Sequence, residues 1–411
     1  MANYRRTKLS CYYSYLSMAS IFSLPPLLFN TFHEMYGVSY TLLGTLVAVN
    51  FCTQLVIDLI FTFFTKYFNI KKTVTVMPMI TSVGMLIYAL VPWLFPQYAY
   101  IGFVVGTFIF SISAGLSEVL LSPVVAAIPS ENPDRDMSLL HSLYAYGVVS
   151  VVVISTLFLK IFGTHNWMYL TLFWAVLPLV AFFMFSTSPM PDVNVSNPEN
   201  SKNASKKTLV MTLCVLCIFF GSAAENSMTN WVSTYIESAL HLPKIVGDIL
   251  GMALFAVALG LTRTWYGKKG KNIYKVLLAG MSGAVVCYLV AGLSPVPVLS
   301  LIACIFTGIC TSMLWPGSLI LMEEKLPHVG VAAYALMAAG GDFGASIAPQ
   351  LLGIVVDKVT ASDFALKLSS EISLAPEQIG LKTAMLVASV FPLIGIAVLV
   401  IIKRKLNIKN R

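Results

Sequence analysis

Apolar runs of about 20 residues recur along the whole chain between short polar turns. As a helix, each is long enough to cross a hydrocarbon layer about 30 Å thick. Twelve segments can be marked, at 9–32, 41–64, 73–94, 98–128, 137–162 and 167–185, then at 209–235, 246–266, 273–293, 298–321, 330–356 and 382–402. The pattern predicts an all-α polytopic membrane protein. The first segment is too long for a cleaved signal peptide and holds Pro25 and Pro26, so it is expected to be retained. The rhythm breaks once, in a stretch rich in Ser, Asn, Pro and Lys that reads as a solvated linker. The predicted organisation is a six-helix bundle over residues 1–186, a linker over 187–207 and a second six-helix bundle over 208–411.

Composition agrees with this reading. Hydrophobic residues make up 57% of the 411 and charged residues only 11%, too few to coat a soluble globule, which carries about 25% charged residues. The net charge of +8 would suggest nucleic acid in a soluble protein, but the positions of the charges decide otherwise. With twelve crossings, both termini and the linker share a side, which takes 21 of the 26 Lys and Arg. Lys160, Lys244, Lys358, Lys367 and Lys382 fall opposite. The positive-inside rule then makes the termini cytoplasmic, in what is expected to be a prokaryotic inner membrane. Topology accounts for the basic character, and no nucleic-acid partner is expected.

Shifting the chain by 193 positions lays Pro123 on Pro316, Glu131 on Glu324, His141 on Tyr334 and Gly147 on Gly340. These matches fall in segments four and five against ten and eleven. Such a repeat fits the two parallel six-helix halves of a major facilitator fold.

Several short motifs resemble the fucose:proton symporter family, a branch of the major facilitator superfamily. EVLLSP, from Glu118 to Pro123, is similar to that family's acid followed five positions later by proline, with Ser122 where an asparagine is usual. LLHSLYAYG, from Leu139 to Gly147, matches its histidine, aromatic and glycine spacing. Glu225, Trp231 and Tyr235 keep the spacing of its seventh helix. Trp315, Pro316, Gly340, Gly341, Pro349 and Gly353 follow its WP and GG...P...G pattern. The chain departs from the family in having no acid between Leu9 and Phe32. It also lacks the usual acid and arginine after segment two, where Lys66 and Tyr67 precede FNIKKT. The resemblance implies a secondary carrier that imports a sugar-like solute with protons, by alternating access around a site shared by the halves. Sodium is the alternative ion, and a monomer in the lipid bilayer is expected.

Polar residues inside the apolar segments carry the candidate chemistry, because hydrocarbon tolerates few of them. Asn50, Gln54 and Asp58 recur every four residues, giving one face that spans about 12 Å. Asn50 and Gln54 fit the wall of a solute path or an interhelical hydrogen-bond seam; Asp58 fits a structural or gating role. Glu118, near mid-segment, is the candidate proton carrier, the alternative being a carboxyl held for packing. His141 suits a proton relay or a bond to a backbone carbonyl, with Tyr144 beside it on the same face. In segment seven Ser222, Glu225, Asn226, Thr229 and Ser233 share a face bordered by Asn230 and Trp231. A carboxylate, amides and an indole suit a hydroxylated ring, while water at the helix end is the plainer reading. Trp315 is a stacking platform or core. Arg263 and Asp342 are read as gating or structural.

All seven cysteines sit in apolar segments. The pair Cys214 and Cys217 has no neighbouring ligands and reads as core packing. NVS at Asn194 and NAS at Asn203 match a glycosylation acceptor by chance, since the topology places them in the cytosol. No phosphate-binding loop, metal-ligand cluster or nucleophile constellation is present, so neither an enzyme nor a cofactor is expected. The competing reading is a proton-coupled exporter of drugs or amphipathic metabolites, kept open by abundant Met and Phe. A receptor or scaffold without transport is a further alternative.

Overall fold

A computed structural model describes residues 4–64, 67–131, 133–191, 204–326 and 331–405. The described residues are helical nearly throughout, with no strand among them. The predicted linker lies mostly outside the described residues, and helix resumes at Ala204, inside its predicted end.

The first half contains α1 (Arg5–Leu27), α2 (Phe29–Tyr36), α3 (Tyr40–Phe64), α4 (Ile70–Leu94), α5 (Ala99–Ala126), α6 (Pro133–Phe162) and α7 (Trp167–Ser186). The first predicted segment is thus two helices. Pro25 and Pro26 have no N–H to return to the preceding turn, and the chain leaves helical geometry at Leu28. Gly37, at φ 64°, ends α2 with its N–H on the His33 carbonyl. Asn69 starts α4 by accepting from the Lys72 N–H at 3.0 Å.

The second half contains α8 (Ala204–Thr234), π-helical turns at Tyr235–Ala239 and Val246–Ala253, then α9 (Leu254–Lys269) and α10 (Ile273–Leu293). It continues with α11 (Pro297–Thr311), α12 (Leu314–Lys325), α13 (Val331–Thr360), α14 (Asp363–Ile372), α15 (Pro376–Ala388) and α16 (Val390–Lys405). Among the described residues, ten segments are long and apolar enough to cross a membrane. The first segment falls short because serines dilute it. In the fifth, Tyr146–Phe162 is the apolar stretch among the described residues.

The contacts divide the described chain into two units, 4–38 with 49–191, and 39–48 with 204–405. The start of α3 belongs to the second unit for identifiable reasons. Asp357 of α13 accepts from the backbone N–H of Tyr40 at 3.1 Å and of Thr41 at 2.7 Å, adding to the N-cap that Ser39 makes by accepting from the Leu42 N–H at 3.3 Å. Gly353 lies against the Tyr40 carbonyl and Gly44 against the backbone of Pro349 and Gln350.

Candidate functional site

The first unit builds a polar seam from α3 and α5. The four-residue spacing of Asn50, Gln54 and Asp58 keeps them on one face of α3. Gln54 Nε2 donates to Asn50 Oδ1 at 3.1 Å, and Ser111 of α5 donates to the same oxygen at 2.6 Å. Gly115 brings the helices together: a Cβ there would stand 3.0 Å from Ile57 and 3.2 Å from the Gln54 backbone. One turn beyond Gly115 comes Glu118, and one turn beyond Gln54 comes Asp58. Their nearest carboxylate oxygens lie within 4.8 Å of each other. Asp58 is buried and Glu118 half-buried. The Tyr15 hydroxyl, from α1, bonds to Ser122 and lies within electrostatic reach of Glu118. Asp58, read from sequence as a structural or gating residue, therefore stands beside the candidate proton carrier. Tyr144 packs edge-on against Phe22 at 5.8 Å. His141 falls in α6, but its side chain lies outside the described residues.

In the second unit the amides turn inward on their own helix. Asn226 donates to the Ser222 carbonyl at 3.1 Å, Asn230 to the Asn226 carbonyl at 2.9 Å, and Thr229 to the Glu225 carbonyl at 2.9 Å. Trp231 is 1% exposed and its indole N–H donates to the Pro349 carbonyl at 3.1 Å, so α8 and α13 hold it as an anchor. Trp315 fills the space beside Gly341, where a Cβ would come within 2.3 Å of its ring. Asp342 is buried in α13.

Arg263 is the residue whose position adds most. Its Nη2 donates to both oxygens of Glu225, at 3.2 and 3.3 Å, and its Nε donates to the Ser312 carbonyl at 2.8 Å. That carbonyl is available because Pro316, four residues on, has no N–H to offer it. The chain breaks between α11 and α12 at this point. Arg263 thereby ties α8, α9 and the broken tenth segment together. Trp315–Pro316 stood out in the sequence, and the orphaned oxygen four residues earlier was a signal there to be read.

Two further polar clusters were not singled out from the sequence. Asp248, fully buried in the second π-helical turn, accepts from Ser233 and faces Lys244 at 3.5 Å, which also reaches Glu237 at 3.6 Å. Near the start of α6, Asp136 bonds with Lys8, accepts from Ser130 at 2.6 Å and from Tyr12 at 3.2 Å. Lys8 first, then Ser130, holds the Asp136 carboxyl below the usual carboxylate range.

Residues 11–349 match the family model described as Major Facilitator Superfamily. The chain belongs to this superfamily. A bacterial homologue of the human lysosomal transporter Spinster, inward-facing and occupied, superposes with a TM-score of 0.77 at 12% identity over 98% of each chain. A D-xylose-proton symporter gives 0.73 at 14% identity, over 95% of this chain and 97% of that one. The E. coli fucose:proton symporter gives 0.57 at 14% identity, over 95% and 99%. No curated protein sequence matches the chain. At such identities the likeness is one of fold: this superfamily member is an integral membrane transporter with the twelve-helix architecture.

Proposed function

We propose that this chain carries a small hydroxylated solute, a sugar or sugar-like compound, across the membrane by alternating access, and that each solute moves with a proton on Glu118. The observation that carries the coupling is the approach of Glu118 to Asp58, within 4.8 Å inside an apolar bundle. Two carboxylates that close repel strongly when both are charged away from water, and one shared proton relieves the repulsion. A proton lodged there has something to respond to, since the Asn50, Gln54 and Ser111 network continues the same face of α3.

For the solute, Glu225, Asn226 and Thr229 form a half-exposed stripe on an otherwise buried stretch of α8. The Glu225 carboxylate and the Asn226 amide oxygen along this stripe are acceptors for sugar hydroxyls, while the Asn226 and Thr229 donors are spent on their own helix. Two structural neighbours are proton symporters of sugars, which accords with this reading. The excess of Lys and Arg on one side supports cytoplasmic termini.

Counterflow in proteoliposomes tests the solute class. Loading with a panel of unlabelled sugars should accelerate entry of the matching labelled sugar, saturably, for at least one of them. Exchange of lipophilic cations with no sugar active would replace this reading with that of an exporter.

A further inference from the structure

We propose that Arg263 is the receptor for a carboxylate on the transported solute, which takes the place that the Glu225 carboxylate occupies in this structure. The inference rests on the transport reading above and narrows its solute to a hydroxylated acid, such as a sugar acid.

The first support is where the pair points. Leu216 of α8 and Leu254 of α9 are large apolar side chains, 39% and 38% exposed. They belong on the lipid side of a membrane protein. Glu225 follows Leu216 by nine residues, and Arg263 follows Leu254 by the same nine. Nine residues are about two and a half helical turns, so each charged side chain leaves its helix opposite the lipid-facing leucine. Leu261 and Trp265, 67% and 58% exposed, flank Arg263 two positions away on either side and also lie across the helix from it. Yet the Arg263 side chain keeps 39% of its surface exposed. That exposure is away from lipid, where a guanidinium meets water or a ligand.

The second support is how loosely Glu225 holds the arginine. Both contacts run to one nitrogen, Nη2, at 3.2 and 3.3 Å. Charge-assisted N–H to carboxylate bonds are usually about 2.7–2.9 Å, and the strong arrangement places two nitrogens of the fork against two oxygens. The Nη1 amine has no hydrogen-bond partner among the described residues. Meanwhile the Ser312 carbonyl fixes Nε at 2.8 Å, so the plane of the guanidinium is set and its Nη1–Nη2 edge is presented. A solute carboxylate laid on that edge gains the two-pronged geometry that Glu225 does not use.

The third support is charge. Arg263 is the charged group that faces Glu225 among the described residues. A bare charge at this depth is costly, so the arginine needs an anion, and Glu225 fills that need while no solute is present. When a solute carboxylate arrives, Glu225 loses its cation and takes one proton from the aqueous side. The site then holds one cation, one anion and a neutral acid, the same net charge as before. The solute and this proton together add no net charge to the site, and the proton on Glu118 is a second one.

Thermal unfolding of the purified full-length protein, titrated with D-gluconate, D-glucuronate and L-lactate beside neutral D-glucose, sorbitol and glycerol, tests this. At least one carboxylate should raise the unfolding temperature saturably at concentrations where its neutral counterpart does not. Arg263→Gln should abolish that response. Arg263→Lys, which keeps the charge and loses the fork, should weaken it by about tenfold. Glu225→Gln, which removes the internal competitor, should bind the same carboxylate more tightly and with a weaker pH dependence than wild type, a gain that a folding defect cannot imitate. Carboxylate binding that survives Arg263→Gln would overturn the proposal. Stabilisation by neutral solutes with every carboxylate inert would overturn it too, while leaving the broader transport reading intact. Silence from both sets would count against both.

Discussion

Asp136 owes its low proton affinity to partners that the folded chain alone provides. Lys8, Ser130 and Tyr12 converge on it from the start of α1 and from the turn before α6. Because folding depresses its pKa, the stability it contributes is fully present above the unfolded value near 3.8 and is lost as pH falls through the lower folded value. The gap in unfolding temperature between wild type and Asp136→Asn should therefore be constant at neutral pH and shrink only below about 3.8. A gap that closed at neutral pH instead would assign the effect to another group. Glu118 and Glu225 were legible in the sequence as lone acids in apolar runs. Their partners were not. Arg263 lies 38 residues from Glu225, on a different helix, and no local spacing rule reaches that far. Likewise the amides of segment seven looked like free ligand groups. In the structure Asn226 and Asn230 spend their donors on backbone carbonyls one turn back.

At the scale of elements, the close crossing of α13 over α8 sets how the second unit packs. Gly340 and Gly344 are four apart, and an added Cβ would meet Val215 at 2.7 Å and the Phe219 carbonyl at 2.2 Å. Backbone cannot step aside as a side chain can, so Gly344→Val should cost on the order of 3 kcal/mol or block folding outright, read as lost expression or a lowered unfolding temperature in detergent. A milder effect is expected at the other end of α13. Removing the cap on Tyr40 and Thr41 with Asp357→Ala should lower stability by about 1 kcal/mol, with Asp357→Asn recovering part of it. Hydrophobic periodicity revealed the segments because every crossing must be apolar over a fixed length. It could not reveal the breaks, since a split or π-helical segment is as apolar as a straight one. Pro25, Pro26 and Pro316 marked two of those breaks in advance; the π-helical turns at Tyr235–Ala239 and Val246–Ala253 have no comparable residue signature.

At the scale of the whole molecule, superfamily membership was readable because it depends on segment count, an internal repeat and the distribution of charge, all of which survive when identity to solved relatives is as low as 12%. The solute was not, because a handful of side chains decides it and their partners lie far apart along the chain. The charge distribution itself makes a prediction. A reporter fused after Arg411 that is active only in the cytoplasm should be active, and one that needs export should be silent. The opposite result would invert the topology. The most direct test of the coupling claim is accumulation of the transported solute in proteoliposomes driven by an imposed pH gradient, for wild type against Glu118→Gln. The variant should still exchange labelled for unlabelled solute at equal concentrations but accumulate it to a clearly lower level, having lost the Glu118 proton. Accumulation by Glu118→Gln at the wild-type level, with the same response to the gradient, would contradict the coupling claim.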